Sequence, residues 1–248
     1  MKTNLLPSFA ATMAWEGGAR LSLVKADPGN WSGGRVGVGQ LMGSQWGISA
    51  PVALRHGLRP GSITVNDAVN VVFKPDYWDA CGCDGLPIGL DHCVSDDAYN
   101  SGPGNARRIY GEVQGLKTVA EQISAFSARR LSFLRGLRTW TVFGRGWAAR
   151  VAGVEAESLR MAGAAPETVQ AHADEAQARS SKHVKRAASA AAGTVASGAA
   201  ATGSHAQVWI FAALAVIAAV AVGVMIWKGR AHAHRAEALQ NLATELKK

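Results

Sequence analysis

The stretch Trp15-Glu16-Gly17-Gly18, then Asp27-Pro28-Gly29-Asn30, then Gly43-Ser44-Gln45-Trp46-Gly47-Ile48-Ser49 decides how this chain reads. A short apolar run (Phe9, Ala10, Met13, Ala14) leads into it and predicts a helix over residues 7–15. That helix delivers Glu16 at its C-terminal end. The glycine pair behind Glu16 lets a ligand or another part of the chain approach the backbone closely. Asp27 heads a Pro-Gly turn. One acid at a helix end and one on the following turn can flank a cleft, and glycoside hydrolysis uses two carboxyl groups on either side of a sugar. Each acid also has a plainer reading, Glu16 as a solvated helix-end charge and Asp27 as a turn former.

Between the two halves of the stretch, residues 30–43 carry five glycines, which exclude a helix. Val36, Val38 and Gln40 alternate with glycine, a pattern that predicts a short two-stranded β-flap over the cleft. A phosphate cradle would end in Gly-Lys-Ser/Thr, and this run does not.

Working outward, helices are expected over Ala50–Arg55 and Val65–Phe73. Ser49 is placed to cap the first, with Pro51 in its first turn. Tyr77-Trp78 precedes Cys81-Gly82-Cys83-Asp84-Gly85-Leu86-Pro87; these aromatics can stack on sugar rings or anchor a core. Further on comes Asp96-Asp97-Ala98-Tyr99-Asn100-Ser101-Gly102-Pro103. Asp97 and Asn100 lie one helical turn apart and share a face, although Asn-Ser-Gly-Pro is also a good helix stop. Residues 117–163 read as two helices, with Ile123, Phe126, Leu131, Leu134 and Leu137 at helical spacing.

Taken together, these motifs resemble the glycosyl hydrolase 108 family, the lysozyme-like N-acetylmuramidases common in phage endolysins. The family carries Glu-Gly-Gly, then Asp-Pro-Gly-Gly, then a Thr shortly before Gly-Ile-Thr or Gly-Ile-Ser. Glu16-Gly17-Gly18, Asp27-Pro28-Gly29 and Gly47-Ile48-Ser49 stand in those places. Asn30 replaces the last glycine of the turn, residues 31–42 look like an insertion, and the family's Thr falls on Ser44. The stretch from Arg130 through Trp140 and Trp147 to Val151 resembles the predicted peptidoglycan domain that follows the catalytic region. The resemblance covers residues 5–163. It implies that Glu16 is the general acid, that Asp27 and Ser44 manage the water, and that Tyr77, Trp78, Asp97 and Asn100 contact substrate. The substrate it implies is peptidoglycan, cut at the β-1,4 bond between N-acetylmuramic acid and N-acetylglucosamine, with no cofactor.

The charge is consistent with an anionic polymer. The 248-residue chain has a net charge of +8, but residues 1–115 hold nine Lys/Arg against ten Asp/Glu, whereas residues 116–165 hold eight against three. No nucleic-acid motif accompanies these arginines, so the wall polymer is the expected partner and nucleic acid is not. Cys81, Cys83 and Cys93 are too few and odd in number for a disulfide framework. With His92 they match no common zinc spacing, and no metal is expected. Pro7 and Glu16 interrupt the N-terminal apolar run, which lacks a signal-peptide cleavage pattern.

The expected fold class is mainly α: a lysozyme-like α+β catalytic domain with a small β-flap, a helical peptidoglycan-binding subregion and one C-terminal transmembrane helix. Residues 1–115 form the muramidase domain and 116–163 the helical binding region. Residues 164–206 read as an Ala/Ser/Gly-rich linker, helical in its first half. Val208 to Trp227 carries no charge over about twenty residues, enough for a bilayer, with Trp209 and Trp227 near its ends. A span over 207–227 is therefore expected, in contact with membrane lipid, with residues 228–248 as a basic tail. Lys228, Arg230 and Arg235 follow the run, and no Lys or Arg before it is nearer than Arg186. The positive-inside rule then puts the chain in the bacterial inner membrane, with a cytoplasmic C-terminus and a periplasmic catalytic domain. The rival readings are a non-catalytic, membrane-anchored peptidoglycan-binding protein and a lysis-accessory membrane protein.

Overall fold

A computed structural model describes residues 4–198 and 205–247. Among the described residues eight α-helices follow one another: α1 (Leu5–Glu16), α2 (Ala50–Arg55), α3 (Leu90–Ser101), α4 (Pro103–Val113), α5 (Val119–Arg135), α6 (Trp140–Met161), α7 (Pro166–Gly198) and α8 (His205–Glu245). A π-helix, Asp67–Trp78, lies between α2 and α3. The chain divides into two compact units, one comprising Met1–Phe133 and Glu157–Gly163, the other Leu134–Ala156 and Ala164–Lys248.

The first unit is built on α3, whose residues Leu90 to Ala98 are all buried. A helix buried on every side belongs at the centre of a packed layer. Around it stand α1, the π-helix and α4. Helix α1 turns Leu5, Phe9 and Met13 inward at four-residue spacing, and α4 turns Ala106, Ile109 and Val113 inward at spacings of three and four. Each large apolar side chain enclosed this way contributes about 1.5–3 kcal/mol. Gly89, at the head of α3, is pressed onto the end of α6, where an added Cβ would stand 2.2 Å from the Ser158 carbonyl oxygen. That approach, at a φ of +90°, requires glycine.

The expected helix over Val65–Phe73 is instead the twelve-residue π-helix. Thr64 and Asp67 start it as a capping box: Asp67 Oδ2 accepts from the Thr64 backbone N–H at 3.0 Å and from its hydroxyl at 2.7 Å, while Thr64 Oγ1 accepts from Asp67 N–H at 3.2 Å. Pro75 sits inside the element. In an α-helix its ring would clash with the carbonyl four residues back, and the wider π register gives it room.

The expected β-flap is corrected to a glycine loop. Antiparallel contacts do occur, but only as isolated bridges, Trp31 with Leu41 and Ser22 with Ser44, and no strand forms among the described residues. Positive φ at Gly34, Gly37 and Gly39 turns the backbone too often for a ladder to propagate. Ser49 stands at the N-cap of α2, but its side chain makes no capping hydrogen bond.

In the second unit, α7 and α8 pair. Val169, Ala173, Ala176, Ser180 and Ala187 form the buried seam of α7, facing a core that includes Ala236, Leu239 and Ala243 of α8. The alanine-rich stretch expected as a linker is thus one helix through Gly198. Alanine is the strongest helix former and lets two backbones approach closely. Ser180 Oγ donates to the Gly229 carbonyl at 3.0 Å. Glu155 of α6 and Arg235 of α8 form a buried two-point ion pair, both contacts at 2.6 Å.

The expected transmembrane span is not supported. Residues 208–227 lie within α8, most of their side chains fall outside the described residues, and among the described residues no helix is long and apolar enough to cross a membrane. The run continues unbroken into the polar end of a 41-residue helix that pairs with α7.

Candidate active site

The two acids of the sequence signature meet at one cleft. Glu16, Asp27 and Ser44 line it together with Arg20, Ser22, Gly29, Gly47 and Ser49, around a volume of about 390 Å³. Its lining is polar, with one cation, two acids and three hydroxyls, which suits a hydroxyl-rich ligand.

Each wall has a local cause. Helix α1 stops at Glu16 because Gly17 adopts a left-handed φ of +76° and closes the helix. Asp27 is exposed and caps the short 3-10 turn Pro28–Asn30, its Oδ1 accepting from Gly29 N–H at 2.8 Å. One carboxylate oxygen therefore serves the turn and the other faces solvent. The turn-forming and chemical readings of Asp27 are compatible. Ser44 is held by a reciprocal backbone pair with Ser22, at 2.8 and 3.0 Å. Asn30, which departs from the family's glycine, is fully buried; its amide donates to the Val24 carbonyl at 2.9 Å, and its own carbonyl accepts from Met42 and Gly43 at 2.9 and 3.0 Å.

The third wall is the tight turn Gln45–Ile48. Gln45 and Ile48 exchange backbone hydrogen bonds at 3.2 and 2.9 Å, and both central residues have positive φ, Trp46 at +60° and Gly47 at +74°. Two positive φ values mark a primed hairpin turn, whose first central position is ordinarily Asn, Asp or Gly. Tryptophan there is the sole non-glycine residue with positive φ among the described residues, and it costs roughly 1–2 kcal/mol. Such a conformation persists only where its surroundings fix it. Here Trp46 N–H donates to the Gly18 carbonyl at 2.9 Å, its indole N–H to the Ile63 carbonyl at 3.0 Å, and Tyr99 Oη to its own carbonyl at 2.7 Å. Gln45 adds a bond to the Ala19 carbonyl at 2.9 Å and accepts from Gly61 and Ile63 at 2.8 and 3.0 Å.

The four residues expected to contact substrate divide. Tyr77 is half-buried, edge-on to Tyr99 at 4.7 Å, in an aromatic cluster with Phe73, Phe9 and Trp46. Burial pushes its phenol pKa up, and the charges of Asp76 and Glu16 push the same way, so Tyr77 lies within electrostatic reach of the cleft acid. Trp78 is fully enclosed and donates its indole N–H to Asp84 at 2.9 Å, which leaves no ring face for a sugar. Asp97 is also fully buried, 3.0 Å from Arg130 Nε and accepting from Asn105 at 3.0 Å. Burial raises its pKa against the opposing pull of Arg130. Asn100, half-buried, accepts from Arg130 Nη2 at 3.3 Å. Arg130 also pairs with Asp96 at 2.7 Å, so the shared face of Asp97 and Asn100 addresses an arginine of α5.

Sequence reasoning passed over Arg20 and Ser22 as cleft residues, and over Arg130 and Tyr99 as supports. Tyr99 is central in the Asp-Asp-Ala-Tyr-Asn motif, the one local signal that could have marked it. Burial pushes the Cys81 thiol up to about 11 and Cys83 higher still, so both are inert thiols. Among the described residues, no three His, Cys, Asp or Glu side chains are grouped to hold a metal ion.

An acid at a helix end and an acid on a turn thus line one polar cleft in the first unit. Residues 9–102 match the family described as Glycosyl hydrolase 108, a span that contains the whole cleft. The solved structure described as that of Brucella abortus SagA is similar over 65% of this chain and 97% of its own, at 24% identity and a TM-score of 0.53. At that identity the likeness is one of fold. The family match supports, over residues 9–102, the family that the residues suggest. No curated protein matches the chain.

Proposed function

We propose that this protein is a peptidoglycan hydrolase of the N-acetylmuramidase type, cutting the β-1,4 bond between N-acetylmuramic acid and N-acetylglucosamine. The observation that carries this reading is the single cleft shared by Glu16, Asp27 and Ser44, together with the family match across the same residues. Glu16 gives its proton to the glycosidic oxygen as the C–O bond breaks, so the leaving sugar departs as an alcohol. Positive charge develops on the other sugar, where the Asp27 carboxylate stabilises it and holds the incoming water. Ser44 fixes the position of that water, whose oxygen bonds to the cationic carbon while its proton leaves to a cleft carboxylate, after which the starting protonation of Glu16 is restored. Arg20 offers a cation to the acidic polymer.

Purified peptidoglycan incubated with the wild-type chain should lose turbidity and release new reducing ends from N-acetylmuramic acid. Glu16→Gln keeps the shape and cannot donate the proton, so clearing should fall by at least about a hundredfold, with an unchanged melting curve. Clearing by Glu16→Gln at the wild-type rate would remove Glu16 from the reaction. Binding to the wall without clearing by either protein would favour a non-catalytic wall-binding role.

Localisation is a separate proposal: the chain acts at the bacterial inner membrane with the cleft on the periplasmic side. The uncharged run Val208–Trp227 and the cations after it support this. A single crossing would part Glu155, before the run, from Arg235, after it, so insertion would have to open their buried pair. Protease added to intact spheroplasts should digest the N-terminal unit. Protection until the membrane is breached would reverse the orientation.

A further inference from the structure

We infer that Tyr99 and Trp46 are positioning residues for the cleft acid, acting through the turn that carries Gly47; the inference deepens the hydrolase reading and rests on Glu16 being the acid. Tyr99 lies on α3, well away in sequence from both Glu16 and the turn. Its hydroxyl donates to the Trp46 carbonyl at 2.7 Å. That carbonyl belongs to the peptide unit joining Trp46 to Gly47. The preceding peptide unit is also tied, since Trp46 N–H donates at 2.9 Å to the carbonyl of Gly18, two residues past Glu16. Both peptide planes flanking Trp46 are thus fixed, one to the central helix and one to the chain leaving the acid.

The consequence falls on Glu16. An added Cβ at Gly47 would stand 2.9 Å from Glu16 Oε2, 3.1 Å from its Cδ and 3.1 Å from its Cβ. The acid side chain therefore lies along the backbone of residue 47, which forms one face of its seat. Trp46 takes a left-handed φ of +60°, a conformation that tryptophan does not adopt freely. Without its ties the turn would relax toward negative φ and carry Gly47 off the acid. The indole bond to Ile63 at 3.0 Å and the tilted contact with Phe9 at 6.0 Å anchor the Trp46 ring, so the side chain resists the same relaxation. A displacement of about 1 Å in a catalytic group can cost a hundredfold in rate. Tyr99 thereby links the central helix to the geometry of the acid without touching substrate.

Tyr99→Phe tests this, because it removes one oxygen and leaves the ring against Tyr77 and Phe73. On peptidoglycan or a soluble glycan fragment, kcat should fall by about tenfold or more while KM changes by less than about twofold. The limb of the pH–rate profile that reports the acid should move with it. Tyr99→Leu, which loses ring and hydroxyl together, should be no better than Tyr99→Phe in kcat once corrected for folded fraction. A Tyr99→Phe enzyme with wild-type kcat and an unshifted profile would overturn the inference. A second measurement is independent of activity. The Glu16 carboxyl carbon, followed by NMR in the labelled chain, should change its shift and titration in Tyr99→Phe. An unchanged Glu16 resonance would overturn the inference whether or not the chain hydrolyses the wall. An inactive wild type whose Glu16 still responds to Tyr99→Phe would sink the hydrolase reading and leave the positioning intact. If Tyr99→Phe fails to fold, Trp46→Phe takes its place in both measurements with the same outcomes, since it keeps a ring on Phe9 and drops the bond to Ile63.

Discussion

The Glu16 carboxylate lies over the space that a side chain at Gly47 would occupy: a methyl group at position 47 would stand 2.9 Å from Oε2 and 3.1 Å from Cδ. Gly47→Ala forces one of them to move. It also places a side chain at a φ of +74°, which costs about 1–2 kcal/mol. Stability should fall by that modest amount, while peptidoglycan clearing falls by about tenfold or more as the acid is pushed aside. Equal losses in activity and in folded fraction would show that the contact matters to the fold alone.

Trp78 is predicted to matter for stability and not for substrate affinity. Its ring is fully buried and its indole N–H reaches Asp84 at 2.9 Å. Trp78→Phe should cost about 1–3 kcal/mol, through the smaller ring and the lost hydrogen bond. Chemical denaturation measures that loss, and KM for a glycan fragment should stay put. A raised KM with unchanged stability would return Trp78 to the sugar-binding set.

Arg130 is predicted to be a linchpin of the first unit. It is enclosed among Asp96, Asp97 and Asn100, at 2.7, 3.0 and 3.3 Å. Arg130→Met leaves two carboxylates buried without their guanidinium, a change that costs about 3–5 kcal/mol. A thermal melt within a few degrees of wild type would show that these carboxylates find other partners. The same variant should raise the Asp97 pKa further, because burial already pushes it up and Arg130 opposes that push.

Acid stability should depend in part on the capping box at the start of α5. Thr118 N–H donates to Glu121 Oε2 at 3.0 Å, and Glu121 N–H donates back to Thr118 Oγ1 at 3.1 Å. Hydrogen bonding of the carboxylate by the Thr118 backbone N–H, and then by the Thr118 side chain, holds the Glu121 pKa below its ordinary 4.5. A pKa depressed by folding stabilises the folded state above the unfolded value. The contribution is present above pH 4.5 and is lost as the pH falls through the lower, folded value. Glu121→Gln removes a titrating group, so its stability should fall less steeply with acid in that window. Parallel curves for the two proteins below pH 4.5 would rule this out.

How far the sequence could be read depended on the range of the contacts involved. Helix α2 was legible over its full extent, Ala50–Arg55, because capping position and proline are local signals. The meeting of Glu16, Asp27 and Ser44 was legible as a pattern of motifs, though periodicity alone would not have brought them together. The π-helix was read as a short α-helix, since apolar spacing over Ala68, Val69, Val72 and Phe73 does not distinguish the two registers. Trp78 and Asp97 were assigned to substrate through the family resemblance, Trp78 as an aromatic able to stack on a sugar and Asp97 as a residue sharing a helical face with Asn100. What enclosed them were Asp84 and Arg130, and the arginine lies more than thirty positions beyond either. Only the first half of the stretch that forms α7 was read as helical, because a stretch poor in large side chains has no visible core of its own, whereas the helix runs to Gly198. Its partner is α8, and alanines suffice once two helices lie close.

Asn30 closes the glycine loop on itself. Its carbonyl accepts from both Met42 and Gly43, and its side chain grips Val24, so the chain leaves and re-enters the loop beside one residue. Mechanically, residues 31–42 hang from Asn30 like a pendant, with the Trp31 indole N–H adding a tie at its base to the Lys25 carbonyl at 2.9 Å. Strain or length within the pendant is not transmitted to Asp27 on one side or to Ser44 on the other. The excursion is thus a site where evolution or an engineer can add and remove residues while the spacing of the acids stays constant. Replacing Gly33–Gly39 with a shorter turn should preserve the melting temperature and alter only which glycans fit. A collapse in stability would show the loop to be a strut.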